Sequence, residues 1–259
     1  MKTVILCGGL GTRLRDETEF RPKPMVEVAG RPLLWHIMKI YARYGHDDFV
    51  LALGYKGEVI KQYFLDYEAW TRDVTVRLGP ERRVTFHGGA PERWSVTLRD
   101  TGAAAMTGAR VKRVERYVTG DTFMLTYGDG VCDVDIAKLV AFHQRHGRIG
   151  TVTGVRPPSR FGELLTTSNR VIEFSEKPSI SQGGYINGGF FVLNRAVFDY
   201  LSDDDGCVLE REPLERLAKD RELEMYRHDG YWQCMDTPRD LQHLHEAWQR
   251  GAPWKVWEE

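Results

Sequence analysis

VILCGGLGTRLRDETEFRPKP, Val4 to Pro24, is the stretch from which the fold can be read. It opens as an apolar run, Thr3 to Cys7, short enough for one buried strand, and empties directly into Gly8-Gly9-Leu10-Gly11-Thr12-Arg13. Glycine lets the chain turn where a Cβ would clash and lets backbone N–H groups approach a ligand closely. Such a loop, followed by Arg13, suits a polyphosphate; the same residues would also serve an ordinary strand-to-helix turn beside a surface cation. Arg21-Pro22-Lys23-Pro24 comes next, with prolines fixing φ on both sides of Lys23. Stiffening of this kind marks Lys23 as a positioned cation.

The two common phosphate loops fit poorly. A Walker loop needs Gly-Lys-Ser or Gly-Lys-Thr after its glycines, whereas here they run into Thr12-Arg13. The dinucleotide fingerprint needs a third glycine where Leu14 stands.

A chain of 259 residues can bury a sizeable core as one domain. Its net charge of -1 supplies no global basic field, which argues against nucleic acid, while polyphosphate binding needs only local cations. Cys7, Cys132, Cys207 and Cys234 are far apart in sequence and form no metal-ligand pairs, as expected of thiols in a reducing cytosol. No apolar run approaches about 18 residues. The expectation is a cytoplasmic protein with no membrane partner.

Downstream, helix-period segments alternate with short apolar runs. Leu33, Leu34, Ile37, Met38 and Tyr41 recur at helical spacing after Pro32, and Phe49 to Leu53 is the next buried strand, followed by a helix from about Glu58 to Tyr67. This order predicts an α/β fold: a mostly parallel, Rossmann-like mixed sheet flanked by helices, with ligands at the carboxyl ends of its strands. Val74 to Arg99 changes character and reads as a small β excursion or loop insertion. Thr107-Gly108-Ala109-Arg110 opens a helix, whose amino terminus offers free N–H groups to an anion or carbonyl; an arginine solvating the first turn is the alternative.

Phe123 to Tyr127 is a central strand that delivers Gly128-Asp129-Gly130 into the predicted crevice. A carboxylate there would repel a triphosphate unless a hard cation lay between them, and Mg²⁺ prefers oxygen ligands and substrate phosphates. Gly150 to Val155 and Val171 to Phe174 are further strands. Ser175-Glu176-Lys177-Pro178 and Ile186-Asn187-Gly188-Gly189 place an acid beside a lysine and an amide beside paired glycines, fixed partners of the kind sugar hydroxyls need. Asp236 precedes a helix opened by Thr237-Pro238, so either Asp236 or Thr237 could be its N-cap.

Leu6-x-Gly8-Gly9-x-Gly11-Thr12-Arg13-Leu14, with Pro22-Lys23-Pro24-Met25 after it, resembles the signature of the sugar-1-phosphate nucleotidylyltransferases. Trp35 to Lys39, Gly54 to Gly57, Tyr127 to Gly130, Asn187 to Phe190 and Ala252 to Lys255 are similar to the branch of that family that joins CTP to glucose 1-phosphate. The resemblance covers nearly the whole chain. It implies that Arg13 and Lys23 are catalytic, Arg13 facing the departing pyrophosphate and Lys23 bridging the incoming phosphate and the α-phosphate. It further implies nucleotide binding by Leu6, Gly8, Gly9, Gly11, Thr12, Arg13, Thr107, Gly108, Arg110 and Asp129. Lys23, Tyr127, Gly128, Glu176, Lys177, Asn187 and Gly188 would bind the sugar phosphate, and Asp129 and Asp236 would share Mg²⁺. Residues 1–150 would form a nucleotide half, 151–240 a sugar-phosphate lobe and 241–259 a terminal helix and tail of one domain. A homo-oligomer is implied as well, since the branch includes hexamers.

Two positions depart from the family pattern: Arg21 stands where a lysine is usual, and Cys7 where alanine is usual. Three rivals stay open. They are a relative using dTTP, UTP or another sugar 1-phosphate, a non-catalytic nucleotide-sugar sensor on the same fold, and a dinucleotide oxidoreductase.

Overall fold

The computed structural model describes residues 1–89, 92–157, 163–167, 170–175 and 184–258. Seven strands form the central sheet: β1 (Thr3–Cys7), β2 (Asp48–Leu53), β3 (Ser95–Asp100), β4 (Thr122–Tyr127), β5 (Gly150–Val155), β6 (Ile186–Asn194) and β7 (Leu223–His228). Their spatial order is β3-β2-β1-β4-β6-β5-β7, and β6 alone runs against the rest. The chain leaves β1 toward β2 and β3, then returns to place β4 on β1's other flank. That reversal opens a crevice at the carboxyl ends of β1 and β4, where the Gly8 loop and Gly128-Asp129 lie.

Side chains alternate across the sheet because the strand period is two. Ile5, Cys7, Phe49, Leu51, Met124 and Phe190 face one buried cluster, shared with helix α1 (Leu33–Ala42). Val4, Leu6, Val50, Phe123, Leu125 and Phe191 face the other, closed by α3 (Thr107–Arg113) and α5 (Glu212–Lys219). The helices α2 (Gly57–Leu65), α4 (Ile136–His146) and α6 (Pro238–Gln249) complete the layers. Apolar runs at both faces are what a sheet covered on both sides demands.

One stretch differs from its sequence reading. Val74–Arg77 and Arg83–Phe86 do form a separate two-stranded hairpin, but Ser95–Asp100 is β3, the edge of the main sheet, parallel to β2. An edge strand has one neighbour and half-exposed side chains, so it lacks the apolar run that betrays a central strand. Beyond β5, Glu163–Thr167 pairs with Arg170–Ser175, whereas Glu176 and Lys177 lie outside the described residues. No helix among the described residues is long and apolar enough to cross a membrane.

The tail packs Trp254, fully buried, against Tyr231, Trp248 and His36. His36 Nε2 lies 2.9 Å from the Val28 carbonyl, and Trp254 Nε1–H donates to His36 Nδ1 at 3.4 Å, a pattern only the neutral ring satisfies. Burial, with Arg31 nearby, pushes the His36 pKa down to about 4. An unfolded histidine titrates near 6.5. As pH falls from 6.5 toward 4 the unfolded chain binds a proton that the folded chain refuses, so stability is lost across that window, by about 3 kcal/mol for His36 alone. His46, His143 and His146 are also lowered by burial and act with the same sign. The urea midpoint should drop between pH 6.5 and 4.5, and drop less in His36→Gln; equal slopes in the two proteins would contradict this.

Candidate active site

The loop after β1 is organised from below by Arg110, which is almost fully buried. Its Nη1 donates to the Leu53 carbonyl (3.0 Å), to Thr101 Oγ1 (2.8 Å) and to the Gly102 carbonyl (2.8 Å), and its Nη2 donates to the Gly8 carbonyl (3.0 Å). One guanidinium thus ties together the loops that follow β1, β2 and β3. The arrangement dictates glycine: a Cβ on Gly8 would lie 2.1 Å from Arg110 Cζ, and one on Gly54 would lie 2.3 Å from Nη1. Gly11 has φ +62, and its carbonyl accepts from Thr18 Oγ1 at 3.0 Å, which closes the turn.

The Thr107-Gly108-Ala109-Arg110 turn is held by the same kind of contact. The Gly108 N–H donates to the Cys207 carbonyl at 2.9 Å, and a Cβ there would meet Cys207 Sγ at 2.5 Å. Gly108 is therefore closely packed, with its N–H already engaged. Arg110 borders the cavity while its Nη donors hold the loop carbonyls and the Thr101 hydroxyl. Arg110→Lys keeps the charge and loses the multidentate geometry. On the nucleotide-binding expectation the KM for nucleotide should rise at least tenfold, and an unchanged KM would show that the loops hold their shape without it.

Lys23, set between Pro22 and Pro24, carries its Nζ to 2.7 Å from Asp129 Oδ2 and 2.5 Å from Asp236 Oδ1. Arg13 Nη1 lies 3.2 Å from Asp236 Oδ2. Asp129 follows β4, and the short antiparallel ladder of Gly130–Cys132 with Trp232–Cys234 sets Met235 beside it, its N–H donating to the Asp129 carbonyl at 2.8 Å. Gly128 has no room for a side chain, because a Cβ would meet the Leu6 carbonyl at 2.6 Å and Pro24 Cγ at 2.9 Å. The N-cap of α6 is Thr237, whose hydroxyl accepts from Asp240 N while Asp240 Oδ2 accepts from Thr237 N at 2.8 Å. With the cap so provided, the Asp236 carboxylate turns to Lys23.

The four charges thus share one corner of the crevice. Burial acts to lower the Lys23 pKa, but the Asp129 and Asp236 carboxylates outweigh it and hold the ammonium above its ordinary value. Lys23 is 12% exposed and Arg13 is 70% exposed, so Lys23 is the preorganised cation and Arg13 the one able to reorient. Two carboxylate oxygens on a single ammonium point at a common centre, an all-oxygen donor pair of the type that holds a hard divalent cation. Cys7 is fully buried and desolvation raises its thiol pKa, which makes it a small packing residue and no nucleophile.

A cavity of about 690 Å³ is lined by the Gly8 to Thr12 loop, Lys23, Ala103 to Thr107, Tyr127, Asp129 and Asn187. A smaller one of about 230 Å³ shares Tyr127, Asp129 and Asn187 and adds Arg13, Gly188, Trp232 and Asp236. Asn187 Nδ2 donates to the Tyr127 hydroxyl at 2.9 Å, and Trp232 Nε1 donates to the Gly188 carbonyl at 2.8 Å. Leu6, Gly8, Gly9, Gly11, Thr12, Thr107 and Gly128 all border the larger cavity. Glu210 borders it too and escaped the sequence reading. It sits in Leu209-Glu210-Arg211, just ahead of α5.

The family model described as "Nucleotidyl transferase" matches residues 2–250. The glucose-1-phosphate cytidylyltransferase of Salmonella typhimurium is 52% identical over 260 aligned residues, covering all of both chains. The mannose-1-phosphate guanylyltransferase catalytic subunit beta of Dictyostelium discoideum is 30% identical over 93% of this chain and 62% of its own length. Among solved structures, a glucose-1-phosphate thymidylyltransferase of Bacillus anthracis superposes with a TM-score of 0.69 at 20% identity, covering 100% of this chain and 98% of that one, and so shares the fold. The sheet order, the loop and the match over nearly the full length agree: the chain belongs to the nucleotidyl transferase family.

Proposed function

We propose that the chain transfers the cytidylyl group of CTP to glucose 1-phosphate, giving CDP-glucose and pyrophosphate. Full-length identity of 52% to a glucose-1-phosphate cytidylyltransferase is the observation that carries this reading, and the convergence of Arg13, Lys23, Asp129 and Asp236 supports it. Retention of two aspartates around one lysine disfavours a sensor, which could bind product without them.

The nucleophile is an anionic oxygen of the sugar phosphate, so no general base is needed. That oxygen bonds to the α-phosphorus as the bond from the α-phosphorus to the bridging oxygen breaks, and pyrophosphate leaves with the electron pair. The obstacle is repulsion between two phosphorylated substrates, and aligned cations remove it. The Gly8 to Thr12 backbone cradles the triphosphate. Lys23 faces the α-phosphate and the incoming phosphate, and Arg13 faces the pyrophosphate. Each such pair is worth roughly 4 kcal/mol at ~4 Å in an effective dielectric of about 20, before desolvation. Asp129 and Asp236 would hold Mg²⁺, which when bound supplies Lewis-acid withdrawal of charge from the phosphates. Tyr127, Asn187 and the Gly188 turn serve the hexose; Glu176 and Lys177 are assigned to it on the family resemblance alone.

On this reading residues 1–150 carry the nucleotide and 151–240 the sugar phosphate, in a cytoplasmic homo-oligomer. Oligomerisation is supported by exposed apolar side chains around the hairpin, among them Trp70, Val76, Leu78 and Val84, with Val76 and Val84 paired across its strands. Initial rates with CTP, UTP, dTTP and GTP against glucose 1-phosphate, and with CTP against mannose and galactose 1-phosphates, test the proposal. CTP with glucose 1-phosphate should lead by at least tenfold, and a faster pair of other substrates would replace it.

A further inference from the structure

Glu210 puts a carboxylate on the wall of a cavity that otherwise gathers groups suited to polyanions. Its Oε1 accepts from the Tyr127 hydroxyl at 2.5 Å and its Oε2 accepts from Thr107 Oγ1 at 2.6 Å. The Tyr127 hydroxyl in turn accepts from Asn187 Nδ2 at 2.9 Å, and Thr107 Oγ1 accepts from Leu209 N at 2.9 Å. The ends of β4, β6, α3 and the segment before α5 are thereby joined through one exposed acid. Among the described residues no lysine, arginine or histidine lies within ion-pair distance of it.

A carboxylate that collects hydroxyl donors and no cation repels phosphate and suits a neutral, hydroxyl-bearing group. An ionised carboxylate offers about four acceptor sites, of which Tyr127 and Thr107 take two. Two sugars reach this crevice, the ribose of the nucleotide and the hexose of the second substrate. Glu210 and Thr107 border the larger cavity alone, but Tyr127, bonded to Glu210, and Asn187, bonded to Tyr127, wall both cavities. This sets the carboxylate beside the place where the two meet, next to Arg13, Trp232 and Asp236 through Tyr127 and Asn187 only.

Resting on the cytidylyl-transfer reading, the geometry points to Glu210 as a specificity-determining residue that accepts a hydroxyl of the hexose 1-phosphate, with Tyr127 and Asn187 holding its carboxylate in place. A site built to bond a hydroxyl rejects the analogue that lacks it, because the acceptor, cut off from water once the sugar covers it, is left unpaired. Removing the acceptor removes the reason for rejection.

The test measures kcat/KM with saturating CTP for glucose 1-phosphate and its 2-, 3-, 4- and 6-deoxy analogues, in the parent, Glu210→Ala and Glu210→Gln, with KM for CTP measured alongside. The parent should lose at least tenfold on one deoxy analogue. In Glu210→Ala glucose 1-phosphate should fall to the level of that analogue, so that the ratio between them closes to within threefold, while KM for CTP stays within threefold. Glu210→Gln keeps the side-chain shape and should narrow the same ratio, so the assignment is read from it if the alanine variant does not fold. Deoxy ratios equal in parent and variants overturn the assignment, as does a rise in KM for CTP with glucose 1-phosphate unaffected, which would move Glu210 to the ribose. A parent active on other substrates but on none of these sugars overturns the functional reading and the assignment together, whereas normal turnover with unchanged ratios overturns the assignment alone.

Discussion

Lys23→Ala lowers turnover by at least a hundredfold and leaves the fold in place. The ammonium is the one largely buried cation of the cluster, set beside two carboxylates at 2.7 Å and 2.5 Å, so its charge is already in the crevice where phosphate charge concentrates. Deleting one preorganised electrostatic donor from a water-poor site costs roughly 10²–10³ in rate. The backbone around it is set by Pro22, Pro24 and the packing of Gly128 against Pro24, none of which involves the ammonium. Lys23→Arg should recover part of the rate, since it restores charge with a different donor geometry. A folded alanine variant within threefold of the parent would remove Lys23 from the chemistry.

The second large effect is on metal use. Asp129→Asn and Asp236→Asn each replace a charged oxygen donor by a neutral amide, and a hard divalent cation depends on that charge. The Mg²⁺ concentration for half-maximal rate should rise at least tenfold in each, and Mn²⁺ binding read by water-proton relaxation should weaken in parallel. The α6 cap survives in Asp236→Asn because Thr237 and Asp240 provide it, so the melting temperature should stay close to that of the parent. Titration curves that overlay the parent's would return that aspartate to a structural role.

Much of this centre was legible in the sequence because its parts are local. The apolar run before Gly8, the prolines around Lys23 and the glycines around Asp129 each announce a backbone that is held still. The N-cap was open between Asp236 and Thr237, and the capping box of Thr237 with Asp240 gives it to Thr237. What escaped depends on contacts between segments distant in sequence. Gly8 and Gly54 are glycines because a guanidinium from α3 fills the space of their Cβ atoms, and no spacing rule reveals that. Glu210 gains its place from Tyr127 and Thr107, which join it across the whole site. β3 went unrecognised as part of the main sheet because an edge strand shows half-buried alternation rather than an apolar run.

The most direct test is a structure of the chain bound to CDP-glucose and Mg²⁺. The diphosphate should lie within hydrogen-bonding distance of Lys23 Nζ, with the metal between it and the Asp129 and Asp236 carboxylates. Product seated away from these three side chains, or a metal held elsewhere, would contradict charge neutralisation at this corner as the basis of catalysis.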